Sequence, residues 1–117
     1  MLQRMQPDEV IAAMRLRQWV YEKARTKNGR TTHISPRGWQ ERRQREFDAR
    51  IVYVLDIERA MAQLDPTEQT LIIARYRDRF TEPEIACAAG CSTRTVSRAL
   101  PAAMKHFATI LDRLDLL

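Results

Sequence analysis

Apolar residues in the first part of the chain fall at Val10, Ile11, Met14, Trp19, Val20 and Ala24. This is close to the three-and-four spacing of an amphipathic helix, and it predicts a helix from Asp8 to about Thr26, opened by Pro7. The stretch from Lys27 to Ser35 joins an Asn28-Gly29 turn signal to small polar residues, which predicts a loop. Ser35 can cap and Pro36 suits a first helical position, so a second, long helix is expected to about Gln63, with Trp39, Phe47, Ile51, Val54, Leu55, Met61 and Leu64 as its apolar series. Asp65 and Pro66 repeat the stop-and-restart signal. A third helix should follow, running through Leu71, Ile72, Tyr76 and Phe80.

The next segment is the most specific. Thr81-Glu82-Pro83-Glu84 has the pattern of a capping box, in which the first side chain bonds the third helical amide and the glutamate reaches back. A short helix is therefore expected from Glu82 to Ala89. Gly90 supplies the positive φ of a tight helix end, and Ser92 caps another helix. Two helices joined by a turn of about three residues make a helix-turn-helix, whose second helix can enter a major groove. Ala86, Gly90 and Val96 meet its packing demands at the crossing, the turn and the inward face, with Ile85, Ala89 and Leu100 as further inward positions. Thr93, Arg94, Thr95, Ser97 and Arg98 then face elsewhere. Pro101 should kink or restart the helix, leaving a separate final helix with Met104, Phe107, Ile110, Leu111 and Leu114 on one stripe, either as core or as a self-association surface. No stretch alternates in the manner of a strand. The expected fold is all-α, a helical bundle with a C-terminal helix-turn-helix, divided into a helical hairpin over 1–63 and a DNA-binding part over 64–117.

Charge sharpens this picture. Twenty Lys and Arg against fifteen Asp and Glu leave a net charge of +5 on 117 residues, a field that attracts polyanions. Arg94 and Arg98 stand one helical turn apart, and an arginine fork on guanine discriminates by about 1–3 kcal/mol. Ser92, Thr93, Thr95 and Ser97 are short enough to allow close approach, and their hydroxyls can bond phosphate or base, with capping the leading role for Ser92. Arg42, Arg43 and Arg45 are candidate phosphate contacts on the second helix, or simply a solvated face interrupted by Glu41, Glu46 and Asp48. Cys87 and Cys91 are expected to be buried structural thiols, since only His33 and His106 could join them around a metal. No metal or cofactor is expected. Nothing at the start resembles a leader peptide and no window has the roughly 18 apolar residues of a membrane span, so no membrane partner and a cytoplasmic location are expected. Catalysis is disfavoured: no paired carboxylates share an apolar face, no nucleophile has a nearby histidine, and no glycine loop could cradle phosphate.

From Leu64 to about Leu111 the sequence resembles the fourth conserved region of bacterial sigma factors, which reads the upstream promoter element. The matching residues are Leu64-Asp65-Pro66-Thr67-Glu68-Gln69, Arg75-Tyr76, Glu84-Ile85-Ala86 and Gly90 through Ala99. Residues 1–63 are too short for a promoter-melting region and lack its aromatic cluster. The resemblance is therefore to small phage and prophage regulators that join a sigma-like reading domain to a different helical part. It implies a sequence-specific transcriptional regulator whose partners are double-stranded DNA and RNA polymerase. A homodimer would add affinity to a single short reading helix. Two alternatives stay open: a DNA-recognition subunit of small-terminase type, and an interaction module that docks on polymerase instead of DNA.

Overall fold

The structure, a computed structural model, describes residues 6–27 and 37–117. The expected loop from Lys27 to Ser35, the Ser35-Pro36 start signal and the side chain of Trp39 lie outside the described residues, apart from the backbone of Lys27 and Trp39. Among the described residues there are five α-helices, α1 (Pro7–Lys27), α2 (Arg37–Met61), α3 (Pro66–Ile72), α4 (Glu82–Ala89) and α5 (Thr93–Arg113), with one π-helical turn at Ile73–Arg77. The all-α class is as the pattern predicts.

Helix α1 begins with Pro7, where a missing amide costs nothing, and Asp8 and Glu9 place negative charge on its first turn. Its buried face is Ala12, Ala13, Leu16 and Trp19, with Val20 partly buried against the same core. The apolar stripe read from the sequence is corrected here: Val10 and Met14 point to solvent at 43% and 58% exposure. Two alanines let α1 lie close to its neighbours, and a face built on small residues is hard to see in a pattern of large ones. Helix α2 packs alongside α1 and buries Val54, Ile57, Ala60 and Met61, while Leu55 is exposed. The Tyr53 hydroxyl donates to the Arg15 carbonyl at 2.9 Å, and Arg50 pairs with Glu22 at 3.6 Å across the hairpin.

Asp65 is the N-cap of α3 in extended backbone, and its amide donates to the Glu68 carboxylate at 3.2 Å. The third helix then departs from expectation. After Ile72 it widens into a π turn, closed by the Asp78 amide on the Ile73 carbonyl at 3.0 Å, and the chain leaves through Arg79 at φ 59°. Phe80 therefore lies outside the helix, its amide on the Ala74 carbonyl at 2.9 Å and its side chain 45% exposed. One inserted residue in a turn shifts every later position around the axis, which the three-and-four pattern cannot register.

Pro101 requires a further correction, because no separate final helix follows it. It lies inside α5, which is continuous from Thr93 to Arg113. The ring is on the exposed face, where the carbonyl left without its helical donor can face water. The inward face downstream holds the helix together: Ala103, Met104, Phe107, Ala108, Ile110 and Leu111 are all buried, and Phe107, Ile110 and Leu111 have no exposed surface. This stripe is core. It meets α1, α2 and α3 in one cluster that also takes in Leu64 and Ile72. A left-handed Asp115 closes α5, the Leu116 amide returns to the Leu111 carbonyl at 2.8 Å, and Arg15 Nε donates to the Leu116 carbonyl at 3.1 Å.

His106 Nδ1 lies 2.8 Å from the Glu68 carboxylate and so joins α5 to α3. Partial burial alone would raise the Glu68 carboxyl, but the bonds from His106 and the Asp65 amide outweigh it and hold it below the ordinary 4.5. A carboxyl lowered on folding stabilises the fold above its ordinary value and loses that contribution as pH falls through its folded value. The urea midpoint of the wild type should therefore exceed that of Glu68→Gln at neutral pH, and the difference should vanish in acid below the folded value. A gap that persists unchanged in acid would show that the carboxylate charge contributes nothing. Phe107→Ala should lower unfolding free energy by about 3–5 kcal/mol in urea titration, since the site is wholly enclosed.

Candidate nucleic-acid interface

The hydrogen bonds that create the helix-turn-helix are local. The Glu84 amide donates to Thr81 Oγ1 at 3.3 Å, while Glu84 Oε1 accepts from the Thr81 amide at 3.1 Å and the Thr81 hydroxyl at 2.9 Å. Those last two bonds, the one from the Thr81 amide first, hold the Glu84 carboxyl below its ordinary range. Helix α4 ends at Gly90, which takes φ 69° and ψ 34°. The Cys91 amide reaches the Ala86 carbonyl at 3.0 Å and the Gly90 amide the Cys87 carbonyl at 3.3 Å, the two-bond closure of a left-handed helix end. Ser92 then caps α5, its hydroxyl accepting from the Thr95 amide at 3.2 Å. The two helices meet through Ile85, Ala86 and Val96, with Leu71 and Ala74 packed behind them.

Ala89 is exposed, contrary to its expected inward position; Ile85 and Ala86 are the buried residues of α4. Cys87 and Cys91 are also exposed, so the expected pair of buried thiols is overturned. The reason is the small contact between α4 and α5: an eight-residue helix gripped through Ile85 and Ala86 leaves the remainder of its circumference in solvent. Among the described residues no cluster of three or more His, Cys, Asp or Glu side chains could hold a metal.

All six candidate residues at the start of α5, Ser92, Thr93, Arg94, Thr95, Ser97 and Arg98, are exposed. They differ in their commitments. Ser92 and Thr95 are engaged with each other, hydroxyl to hydroxyl at 2.9 Å, in addition to the cap. Ser97 donates to the carboxylate of Glu82 on α4. Arg94 and Arg98 lie one turn apart on the outward face and take part in no ion pair among the described residues, and Thr93 beside them makes no side-chain hydrogen bond there. Lys105 continues the same face seven residues beyond Arg98 and is exposed. Sequence reasoning passed over Lys105 because it lies beyond Pro101. It also passed over Glu82, whose only local signal is its place in the first turn of α4. Arg42, Arg43 and Arg45 are exposed on the first half of α2, separate from this cluster in the chain.

The fold and this surface define a helix-turn-helix protein. Residues 55–107 match the family model described as sigma-70, region 4, a DNA-binding helix-turn-helix domain. The matched span takes in the end of α2, α3, the π turn, α4 and the first two thirds of α5. Comparison with curated proteins and with solved structures finds no match. No helix among the described residues is long and apolar enough to cross a membrane.

Gly90 offers a clean test of the turn. A Cβ placed there would meet no atom within 4 Å, so substitution strains only the backbone. Gly90→Ala should cost about 1–2 kcal/mol in denaturant unfolding, the penalty of a left-handed residue with a side chain, without altering the helical signal of the folded protein.

Proposed function

We propose that the protein is a sequence-specific DNA-binding transcriptional regulator of phage or prophage type, which reads duplex DNA with residues 93–100 of α5. One observation carries the reading: Arg94 and Arg98 extend, without an ion pair among the described residues, from the second helix of a sigma-70 region 4 helix-turn-helix. Guanidinium forks one turn apart can engage adjacent base edges, and Thr93 is short enough not to hold the helix away from the groove. Ser92, Thr95 and Ser97 contribute through their exposed hydroxyl oxygens, which are already oriented by the cap and by Glu82. Arg42, Arg43 and Arg45 add phosphate contacts on a flank of the site, and Lys105 extends the basic face.

In this role the domain works in the cytoplasm, with RNA polymerase as its second partner, and a homodimer supplies two half-sites. The part over 1–63, with α1 and α2, distinguishes the protein from a self-sufficient sigma factor, and the part over 64–117 does the reading. No catalytic group is involved.

Selection of bound fragments from a random duplex library, at two salt concentrations, tests the reading. The wild type should enrich a motif that Arg94→Ala/Arg98→Ala loses, and a palindromic motif would report a dimer. Alanine at Arg42, Arg43 and Arg45 should keep the motif and reduce the slope of log affinity against log salt by about 0.9 for each phosphate no longer neutralised. The same motif from the wild type and the double variant would refute reading by α5.

A further inference from the structure

Beside α1 and the π turn lies an open-sided cavity of about 360 Å³ lined by Arg17, Val20, Arg75, Tyr76 and Arg79. We propose that this cavity is a binding site for a multiply charged phosphoryl anion, held by Arg17, Arg75 and Arg79. The proposal does not depend on the reading of α5 as a DNA-binding helix.

Three exposed arginines from two distant chain segments line one space, and none of them pairs with a carboxylate among the described residues. The nearest acid in sequence, Asp78, is already bonded to Arg77 at 3.0 Å. Like charges gathered without a counter-charge repel, and an anion in the cavity removes that repulsion. The local backbone at the cavity is irregular. The π turn displaces Arg75 and Tyr76 from regular helical register, and Arg79 adopts φ 59°, a conformation far easier for glycine. The Arg79 side chain lines the cavity.

The chemistry of the walls selects the ligand. Arginine forks bind the paired oxygens of phosphoryl groups, and three of them match an anion carrying two or three charges. Tyr76 adds a hydroxyl donor; burial raises its pKa against the opposing influence of Arg17 and Arg75, so it keeps its proton at neutral pH. The volume is at the low end for ligand sites, enough for a pyrophosphate unit or the phosphate tail of a nucleotide. Such a group can come free in solution or from a nucleic-acid backbone. In either case its binding would tie α1, which lies outside the segment matching sigma-70 region 4, to the chain that leads directly into α4.

Calorimetric titration of the full chain with inorganic pyrophosphate, at fixed ionic strength, tests the site. Binding should saturate at one per chain, weaken roughly tenfold or more in Arg17→Gln and Arg79→Gly, and remain unchanged in Arg94→Ala/Arg98→Ala. Arg79→Gly removes the guanidinium while suiting the left-handed backbone, so a folding defect should not obscure its result. A second arm measures affinity for a random-sequence duplex in the same variants. No pyrophosphate binding, with duplex affinity weakened by Arg17→Gln and Arg79→Gly, would assign the phosphoryl group to a nucleic-acid backbone. If neither titration responds to Arg17→Gln and Arg79→Gly, or if pyrophosphate binds all variants alike, the site is refuted.

Discussion

Burial of the inward face of α5 downstream of Pro101 is the constraint on which the rest of the molecule depends. Phe107, Ile110 and Leu111 are fully enclosed, and α1, α2 and α3 each contribute a face to that enclosure. The upstream half of the same helix holds Val96 against Ile85 and Ala86, so the position of α4 and the direction of Arg94 and Arg98 follow from how the downstream half is seated. Because α5 is unbroken at Pro101, the outward face and the core belong to one continuous helix. A break there would have left the helix-turn-helix tethered only through its small contacts with Leu71 and Ala74.

The amino-terminal hairpin is bound into this arrangement by both apolar and polar contacts. Ala12 and Ala13 allow α1 to come close, Leu16 and Trp19 fill the space beside it, and Arg15 fastens the carboxy-terminal residues through the Leu116 carbonyl. Val10, Met14 and Tyr21 on α1 and Val52 and Leu55 on α2 remain exposed. Their exposure follows from the choice of face: a helix that buries alanines can leave larger side chains outside.

The polar groups near the start of α5 divide by commitment. Ser92 and Thr95 satisfy the helix end, Ser97 joins α5 to α4 through Glu82, and Arg94 and Arg98 take part in no ion pair among the described residues. Exposed hydroxyls that bond within the protein have their orientation settled before any ligand arrives, which lowers the entropy lost on binding. Arginines without a carboxylate partner need break no ion pair to engage an anion.

The sequence alone determined the helix boundaries that rest on local chemistry. The caps at Asp65, Thr81 and Ser92, the proline starts at Pro7 and Pro66, and the left-handed end at Gly90 each depend on a few neighbouring residues, and all are found where the pattern put them. The candidate residues of α5 were legible for the same reason: once Gly90 and Ser92 set the start, periodicity makes Val96 inward and Arg94 and Arg98 outward. Tertiary structure decided what periodicity leaves ambiguous. It chose Ala12 and Ala13 over Val10 and Met14 as the buried face of α1, left Cys87, Cys91 and Ala89 in solvent, widened the helix at Ile73–Arg77 so that Phe80 fell outside it, and carried α5 through Pro101. Each outcome depends on how closely a neighbouring helix approaches and how much it covers, and that balance of packing against local propensity is set by residues far away in the chain.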